Sequence, residues 1–248
     1  MFRLKNFCCE CLIGNLASQE PSPQILADRT SWLGTTITSA DGEIWVGSPL
    51  RVHRRCQKPM FNISNHIAYN GLMVSRTPED KSPIGEVLGS SKWINVIGEA
   101  NSKWSREEGL IAVEMLEKLI EAGNEEPEIF FITPFRVVAS ELRQMIRRNS
   151  RIANKLLPSA WEWTNEHVGT VHTFQGKEAD TVVFVLGAPL DASGGARRWA
   201  GGAPNLLNVA MTRAKRRLYV VGNHKAWKNA GYFQILATSL PLNEWKVP

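Results

Sequence analysis

Hydrophobic positions follow a clear helical period in the middle of this 248-residue chain. Ser105 and Glu108 have the spacing of a capping box, and Gly123 ends the pattern. Between them, apolar residues recur three and four positions apart, at Ala112, Val113, Leu116, Leu119 and Ile120. The pattern predicts an amphipathic helix from about 105 to 123.

Short apolar runs around this helix predict buried strands. One run, Ile129–Ile132, stops at Thr133 and Pro134. Others cover Trp93–Ile97, Val168–His172, Thr181–Leu186 and Leu218–Val221. Helical patterns alternate with these runs, at Val138, Leu142, Met145 and Ile146 and across Asn205–Arg216. Such alternation predicts an α/β fold, a parallel sheet covered by helices on both faces, in which ligands gather at the C-terminal ends of the strands.

The first fifty residues differ in character. Residues 17–50 are rich in Ser, Thr, Pro, Gly and Asp, with a short predicted strand at Glu43–Val46. We expect residues 1–49 to be a connecting segment and residues 50–248 to form one domain, which opens with a helix near Met60–Tyr69.

Composition and charge narrow the classes of function. Hydrophobic residues make up 43% and charged residues 21%, and no apolar run approaches the roughly 20 residues that a membrane span requires. Glu10 and Asn15 interrupt the apolar N-terminal run, which argues against a secretory signal. We therefore expect a cytoplasmic protein without a membrane partner. The net charge of +5 suits a polyanionic partner.

Three of the four cysteines crowd at the N-terminus, at Cys8, Cys9 and Cys11. A zinc or iron–sulfur site there would need a fourth ligand from elsewhere, and free thiols are the simpler interpretation. No metal ligand is predicted.

The most informative polar segment is TVHTFQGKEAD, residues 170–180, between two predicted strands. Gly176 allows a backbone bend that brings main-chain N–H groups close to a phosphate, and Glu178 can accept hydrogen bonds from a ribose. An ordinary turn is an equally simple interpretation of this segment.

A second segment, residues 205–217, is predicted to be a helix that runs into a strand. Arg213 lies beside its apolar face, where a planar guanidinium suits the charge on a transferring γ-phosphoryl group. Arg216 and Arg217 are explained by the dipole at a helix end.

Two further basic segments have open interpretations. Residues 50–59 include Arg51, His53, Arg54 and Arg55, which are compatible with a solvated patch, a phosphate site or a nucleic-acid contact. The glycine-rich segment from Leu190 to Pro204 contains Arg197-Arg198-Trp199. It predicts either a clamp on a single strand or a flexible surface insertion.

Taken in order, these segments resemble the motifs of superfamily 1 nucleic-acid helicases. The segment 170–180 resembles motif V, Thr212–Ala214 resembles motif VI, and Arg55 resembles the arginine of the Y-R element near motif IV. Ile132–Phe135 resembles the strand-end TPY of the branch that contains the nonsense-mediated-decay and Okazaki-fragment helicases. The resemblance covers about residues 50–222 and implies the C-terminal, RecA-like domain of the P-loop NTPase fold.

The resemblance implies a nucleotide site and a strand path. Arg55 and Arg213 would contact the γ-phosphate of ATP. The nucleotide contacts would be Gln175 and Gly176 beside the phosphates and Glu178 at the sugar. Residues facing single-stranded DNA or RNA would be Thr133, Thr170 and His172.

Two positions, His172 and Arg54, have a second interpretation or differ from the family pattern. His172 is equally compatible with a core histidine at the end of a buried strand. Arg54 stands where the family has tyrosine, so any packing of that tyrosine on adenine is absent or supplied by another residue.

The chain lacks the motifs that hold the phosphates and the magnesium ion. The sequence contains no G-x-x-x-x-G-K-[ST] loop and no Asp-Glu dipeptide. In the family, a first RecA-like domain carrying Walker A and B motifs supplies these groups and holds Mg2+. We therefore expect no ATP hydrolysis by this chain alone, and a fragment, a split gene product or a degenerate remnant. The alternative is a non-catalytic module that binds nucleic acid or protein.

Overall fold

A computed structural model describes residues 51–99, 102–124, 126–189 and 194–245, and residues 26, 28, 30–32, 34–39 and 42–47 before them. The chain divides into two compact units, the first comprising residues 1–52 and 72–74 and the second residues 53–71 and 75–248. In the first unit, β1 (Thr35–Ser39) pairs antiparallel with β2 (Gly42–Val46). This pairing confirms the strand predicted at Glu43–Val46. The cysteines at 8, 9 and 11 lie outside the described residues.

A six-stranded sheet organises the second unit. Its strands are β5 (Lys92–Asn95), β6 (Ile129–Thr133), β7 (Val168–Thr170), β8 (Ala179–Val185), β9 (Ala214–Gly222) and β10 (Leu242–Glu244). The strand order is β10-β5-β9-β8-β6-β7, and each neighbouring pair is parallel. Two short strands, β3 (Val52–His53) and β4 (Val74–Ser75), pair separately. Every residue of β8 is buried, as expected of an apolar run inside a covered parallel sheet.

Two groups of helices pack around the sheet. The helices are α1 (Met60–Ala68), α2 (Pro83–Leu88), α3 (Arg106–Glu121), α4 (Arg136–Arg148), α5 (Ser150–Ala153), α6 (Ala160–His167), α7 (Gly194–Gly201), α8 (Pro204–Met211), α9 (His224–Trp227) and α10 (Phe233–Ser239). In one group α4 packs against α3 and α6, and in the other α1 packs against α8 and α10. This is the α/β RecA-like arrangement that the sequence predicts. Among the described helices, none is long and apolar enough to cross a membrane.

The central helix α3 begins where the sequence indicates, with one difference in its cap. The Ser105 hydroxyl oxygen accepts the backbone N–H of Glu108, and Gly123, at a φ of +88°, follows the helix end. The Ser105 hydroxyl donates to the carboxylate of Glu107. Glu108 instead turns into the core, so the reciprocal half of the predicted capping box does not form.

Two predicted boundaries are wrong, and both lie beside the candidate site. The strand predicted to reach His172 ends at Thr170, and a 3-10 helix, Val171–Phe174, follows it. The helix predicted to reach Arg216 ends at Met211, because β9 begins at Ala214 and pairs with both β5 and β8. Arg216 is therefore a strand residue whose guanidinium pairs with Asp180 at 2.7 Å. The helix-dipole explanation for Arg216 and Arg217 is wrong.

Candidate functional site

The C-terminal ends of β6 and β7 meet at one edge of the sheet. Thr133, the last residue of β6, stands in register with Thr170, the last residue of β7. The 3-10 helix Val171–Phe174 then leads directly into the loop 175–178. The segment that carries the candidate strand contacts is therefore continuous with the segment that carries the candidate nucleotide contacts.

Arg213 holds this loop through its backbone. The side chain is only 6% exposed. Its Nη1 donates to the carbonyl oxygens of Lys177 (2.9 Å) and Phe174 (3.4 Å), and its Nε donates to that of Val209 (3.1 Å). Nη2 donates to the Thr212 hydroxyl at 3.2 Å. These contacts engage four of the five N–H groups of the guanidinium.

The other predicted nucleotide residues are exposed at the same place. Gln175, Gly176 and Glu178 form the exposed loop, and Gly176 adopts a φ of +87° that favours glycine. A carboxylate oxygen of Glu178 lies 3.2 Å from Nε of Arg55, with both side chains more than 40% exposed. The structure thus brings together the five predicted nucleotide-site residues, Arg55, Gln175, Gly176, Glu178 and Arg213. In the sequence, Arg55 is at least 120 positions from the loop.

The charged side chains of this cluster influence one another. Burial lowers the pKa of Arg213 from its usual value, and the nearby positive charge of Arg55 lowers it further, while Glu178 acts in the opposite direction. Burial raises the pKa of Cys56 to about 12, so this neighbouring thiol stays neutral. Burial also lowers the pKa of His53. Glu178 forms its ion pair with Arg55, and its charge also influences Arg213.

The three predicted strand contacts have different environments. Thr133 is 1% exposed, and its hydroxyl oxygen accepts the Phe135 N–H at 3.3 Å. Thr170 is half-buried, with its hydroxyl 3.3 Å from that of Thr173. His172 is exposed on the 3-10 helix, so it is not a core histidine. Their contacts with nucleic acid remain predictions.

Sequence reasoning missed the groups that position Arg213. Its acceptors at Phe174 and Lys177 are main-chain carbonyls, which every residue has and which the sequence therefore cannot identify. Only Thr212 offered a signal, as a hydroxyl directly before the arginine. Within the described residues, no group of three His, Cys, Asp or Glu side chains is arranged to hold a metal ion.

Comparison with known proteins supports a helicase relationship. Residues 47–225 match the family model AAA_12, described as an AAA domain. The chain is 28% identical over 135 residues to the DNA polymerase alpha-associated DNA helicase A of Schizosaccharomyces pombe, a match that covers 54% of this chain and 18% of that protein. It is 30% identical over 123 residues to the regulator of nonsense transcripts 1 of Caenorhabditis elegans, covering 49% of this chain and 10% of that one.

One solved structure resembles the chain at a TM-score of 0.42 and 13% identity, covering 77% of this chain and 99% of that chain. It is the C-terminal domain of a possible DNA helicase from Lactobacillus plantarum WCFS1. The two relatives above are far longer than the segment they share with this chain, which spans less than a fifth of either. The family match covers well over half of the chain, and the chain therefore belongs to the AAA_12 family of AAA domains, in the superfamily 1 helicase branch of the nonsense-mediated-decay and Okazaki-fragment helicases.

Proposed function

We propose that residues 50–248 are the second motor domain of an ATP-dependent nucleic-acid helicase or translocase. The observation that carries this proposal is the convergence of Arg55, Arg213 and the loop 175–178 beside the N-terminal ends of β8 and β9, where Ala179 pairs with Ala214. ATP would be bound by a first RecA-like domain with Walker A and B motifs, upstream or in trans. That domain would also hold most of the Mg2+ coordination, since this sequence has no P-loop.

The two arginines would act on the charge of the transferring γ-phosphoryl group. Negative charge spreads over its equatorial oxygens in the transition state, and guanidinium groups placed there stabilise that state more than the ground state. Gln175 and Gly176 would lie beside the phosphates. Glu178 would exchange its exposed ion pair with Arg55 for a hydroxyl of the nucleotide sugar.

Coupling to the strand follows from chain continuity. Only the 3-10 helix Val171–Phe174 separates Thr170 from Gln175. Its two buried residues, Val171 and Phe174, anchor it in the core, and Arg213 holds the carbonyl of Phe174. A shift of the loop on binding or losing the γ-phosphate would therefore move the residues that face single-stranded DNA or RNA.

The test is ATPase activity with and without a first domain. We expect the chain alone to hydrolyse no ATP above background, even with single-stranded DNA or RNA. When it is fused to a Walker A/B-containing RecA-like domain, turnover should appear and should fall about a thousandfold or more in Arg213→Ala. Arg213→Lys should fail nearly as badly, because an ammonium cannot serve the several acceptors that the planar guanidinium joins. Nucleotide affinity should fall far less than turnover.

Two companion variants separate catalysis from loop support. Arg55→Ala removes a guanidinium that pairs with the exposed carboxylate of Glu178, so it should lower turnover while leaving the fold intact. Arg151→Ala removes an exposed arginine beyond α4 and should leave turnover within a few-fold. The catalytic proposal is refuted if all three alanine variants have equal, mild effects.

The same structure supports a non-catalytic alternative. Four of the five N–H groups of Arg213 are already engaged by the protein, which also suits a purely structural role. The chain would then be a module that binds nucleic acid or protein without turnover. In that case Arg213→Ala would lower the free energy of unfolding, and the fused protein would bind single strands without hydrolysing ATP.

A further inference from the structure

A row of aromatic rings extends from the end of β6 to the surface. Phe135, which follows Thr133 and Pro134, is 5% exposed. Its ring centroid lies 6.4 Å from that of Trp227 on the inner side and 6.0 Å from that of Trp199 on α7. Trp199 is 60% exposed, so it is the solvent-facing end of the row.

Basic side chains lie close to this row of rings. Nζ of Lys103 lies 5.0 Å from the Phe135 centroid, and Arg198 is exposed next to Trp199 on α7. Arg197 donates from Nη1 to the carbonyl oxygens of Ala188 and Pro189, both at 2.7 Å. The sequence of α7, GGARRWAG, contains no acidic residue.

The helix that carries Trp199 is anchored. Ala200 and Gly201 are buried, and a Cβ added to Gly201 would lie only 2.0 Å from the carbonyl oxygen of Ala230. The Gly201 carbonyl accepts the N–H of Tyr232 at 3.1 Å. Residues 194–201 are therefore an ordered, packed helix, and of the two interpretations of this segment the flexible insertion does not apply to them.

We infer that Trp199 is a base-stacking residue for single-stranded nucleic acid. This inference rests on the proposed function, because it continues the strand path from the β6–β7 edge onto α7, where Trp199 packs over the buried Phe135. An unpaired base would stack on the exposed indole, and Arg198 and Lys103 would meet the adjacent phosphates. Stacking on an aromatic ring accepts any base, which suits a motor that must move along any sequence.

Trp161 provides a matched comparison within the same chain. It is 63% exposed on α6, but the guanidinium of Arg147 lies 3.8 Å from its ring centroid and covers one face. Arg147 is fixed there by hydrogen bonds to the Thr164 hydroxyl and the Asn165 side chain. Trp161 therefore matches Trp199 in exposure but lies on α6, with one face of its ring covered by Arg147.

The test measures binding of the full chain to a fluorescein-labelled oligo-dT and to oligo-U by anisotropy. Trp199→Ala should weaken binding about 5- to 150-fold, the range for loss of one stacked base. Trp199→Phe should retain most of the affinity, and Trp161→Ala should bind as the wild type does. An oligonucleotide with abasic positions should bind Trp199→Ala and wild type alike.

Salt dependence separates stacking from charge. Trp199→Ala should leave the slope of log affinity against log salt unchanged, while Arg198→Ala should reduce it by about one.

If the wild type binds and Trp199→Ala binds equally well, the inference fails and the proposed function stands. If the wild type binds neither oligonucleotide, the strand path of the proposed function itself is wrong. An equal loss of oligonucleotide affinity in Trp161→Ala would also overturn the inference. If binding of a poly-glutamate peptide depends on Trp199 to the same extent, the inference is overturned in favour of an acidic protein partner.

Discussion

Glu108→Gln should change how the stability of the protein depends on pH. Glu108 is 1% exposed in α3, and its Oε2 accepts the N–H of Gly187, just after β8, at 2.7 Å. Its Oε1 has no hydrogen-bond partner among the described residues. Burial raises the pKa of Glu108 to about 8, the Gly187 N–H opposes this rise, and the charge of Glu107 adds to it.

The sign follows from proton binding. Because the pKa of Glu108 is about 8 in the folded protein and 4.5 in the unfolded chain, the folded state binds more protons between these values. The contribution of Glu108 to stability is then fully present below pH 4.5 and is lost as the pH rises through about 8. At about 1.4 kcal/mol per pH decade, the loss is ~3 kcal/mol by neutral pH and approaches ~5 kcal/mol in alkali.

Glutamine reproduces the shape of the protonated acid and does not titrate. We expect the variant and wild type to have similar free energies of unfolding near pH 5, and the variant to be several kcal/mol more stable near pH 9. Urea unfolding followed by tryptophan fluorescence measures both. His53 and His167, whose pKa values are lowered by burial, contribute equally to the two proteins and cancel in the difference. Parallel stability curves from about pH 5 to 9 would show that Glu108 is ionised in the fold and would refute the argument.

Two further substitutions should lower stability. Gly187→Ala places a Cβ 2.4 Å from a backbone carbonyl oxygen at a φ of +63°, and should lower the free energy of unfolding in urea by about 1–3 kcal/mol or more. Gly176→Ala, at a φ of +87° with nothing within 4 Å of the added Cβ, should cost less. Equal costs would argue against the clash. Asp180→Asn removes the negative charge that Arg216 faces at 2.7 Å, on a side chain that is only 4% exposed, and should cost about 3 kcal/mol. Lys215→Ala, which breaks an exposed pair, should cost less than about 1 kcal/mol, and an Asp180 effect no larger than that would show that the buried pair adds little.

The sequence predicted those features that depend on local patterning. The helix after Ser105 forms as predicted because its cap, its apolar stripe and Gly123 all lie within twenty residues. The strand at Ile129–Ile132 is short, apolar and bounded by Thr-Pro, which are local signals too. The alternation of strand-like runs with helical patterns indicated a parallel α/β sheet, because both patterns can be recognised locally.

The errors arise where tertiary pairing overrides local propensity. Ala214–Arg217 consists of good helix formers, yet these residues begin β9, because β5 and β8 flank that strand on both sides. The strand after Val168 stops early because β7 is at the sheet edge and pairs only with β6. The anchoring of α7 depends on Gly201 meeting the backbone near Ala230, a contact between distant positions.

The two arginines of the candidate site differ in their burial and in their partners within the protein. Arg213 is buried and holds two carbonyls of the motif V loop, so its position depends on the loop and the position of the loop depends on it. Arg55 is 46% exposed and pairs with an exposed carboxylate, an interaction worth little in water and readily exchanged for a phosphate. We therefore infer that Arg55 is the more mobile contact and Arg213 the fixed one. If the proposed function is right, we expect a polyanion bound beside the two arginines to offset the positive charge that Arg55 places on Arg213.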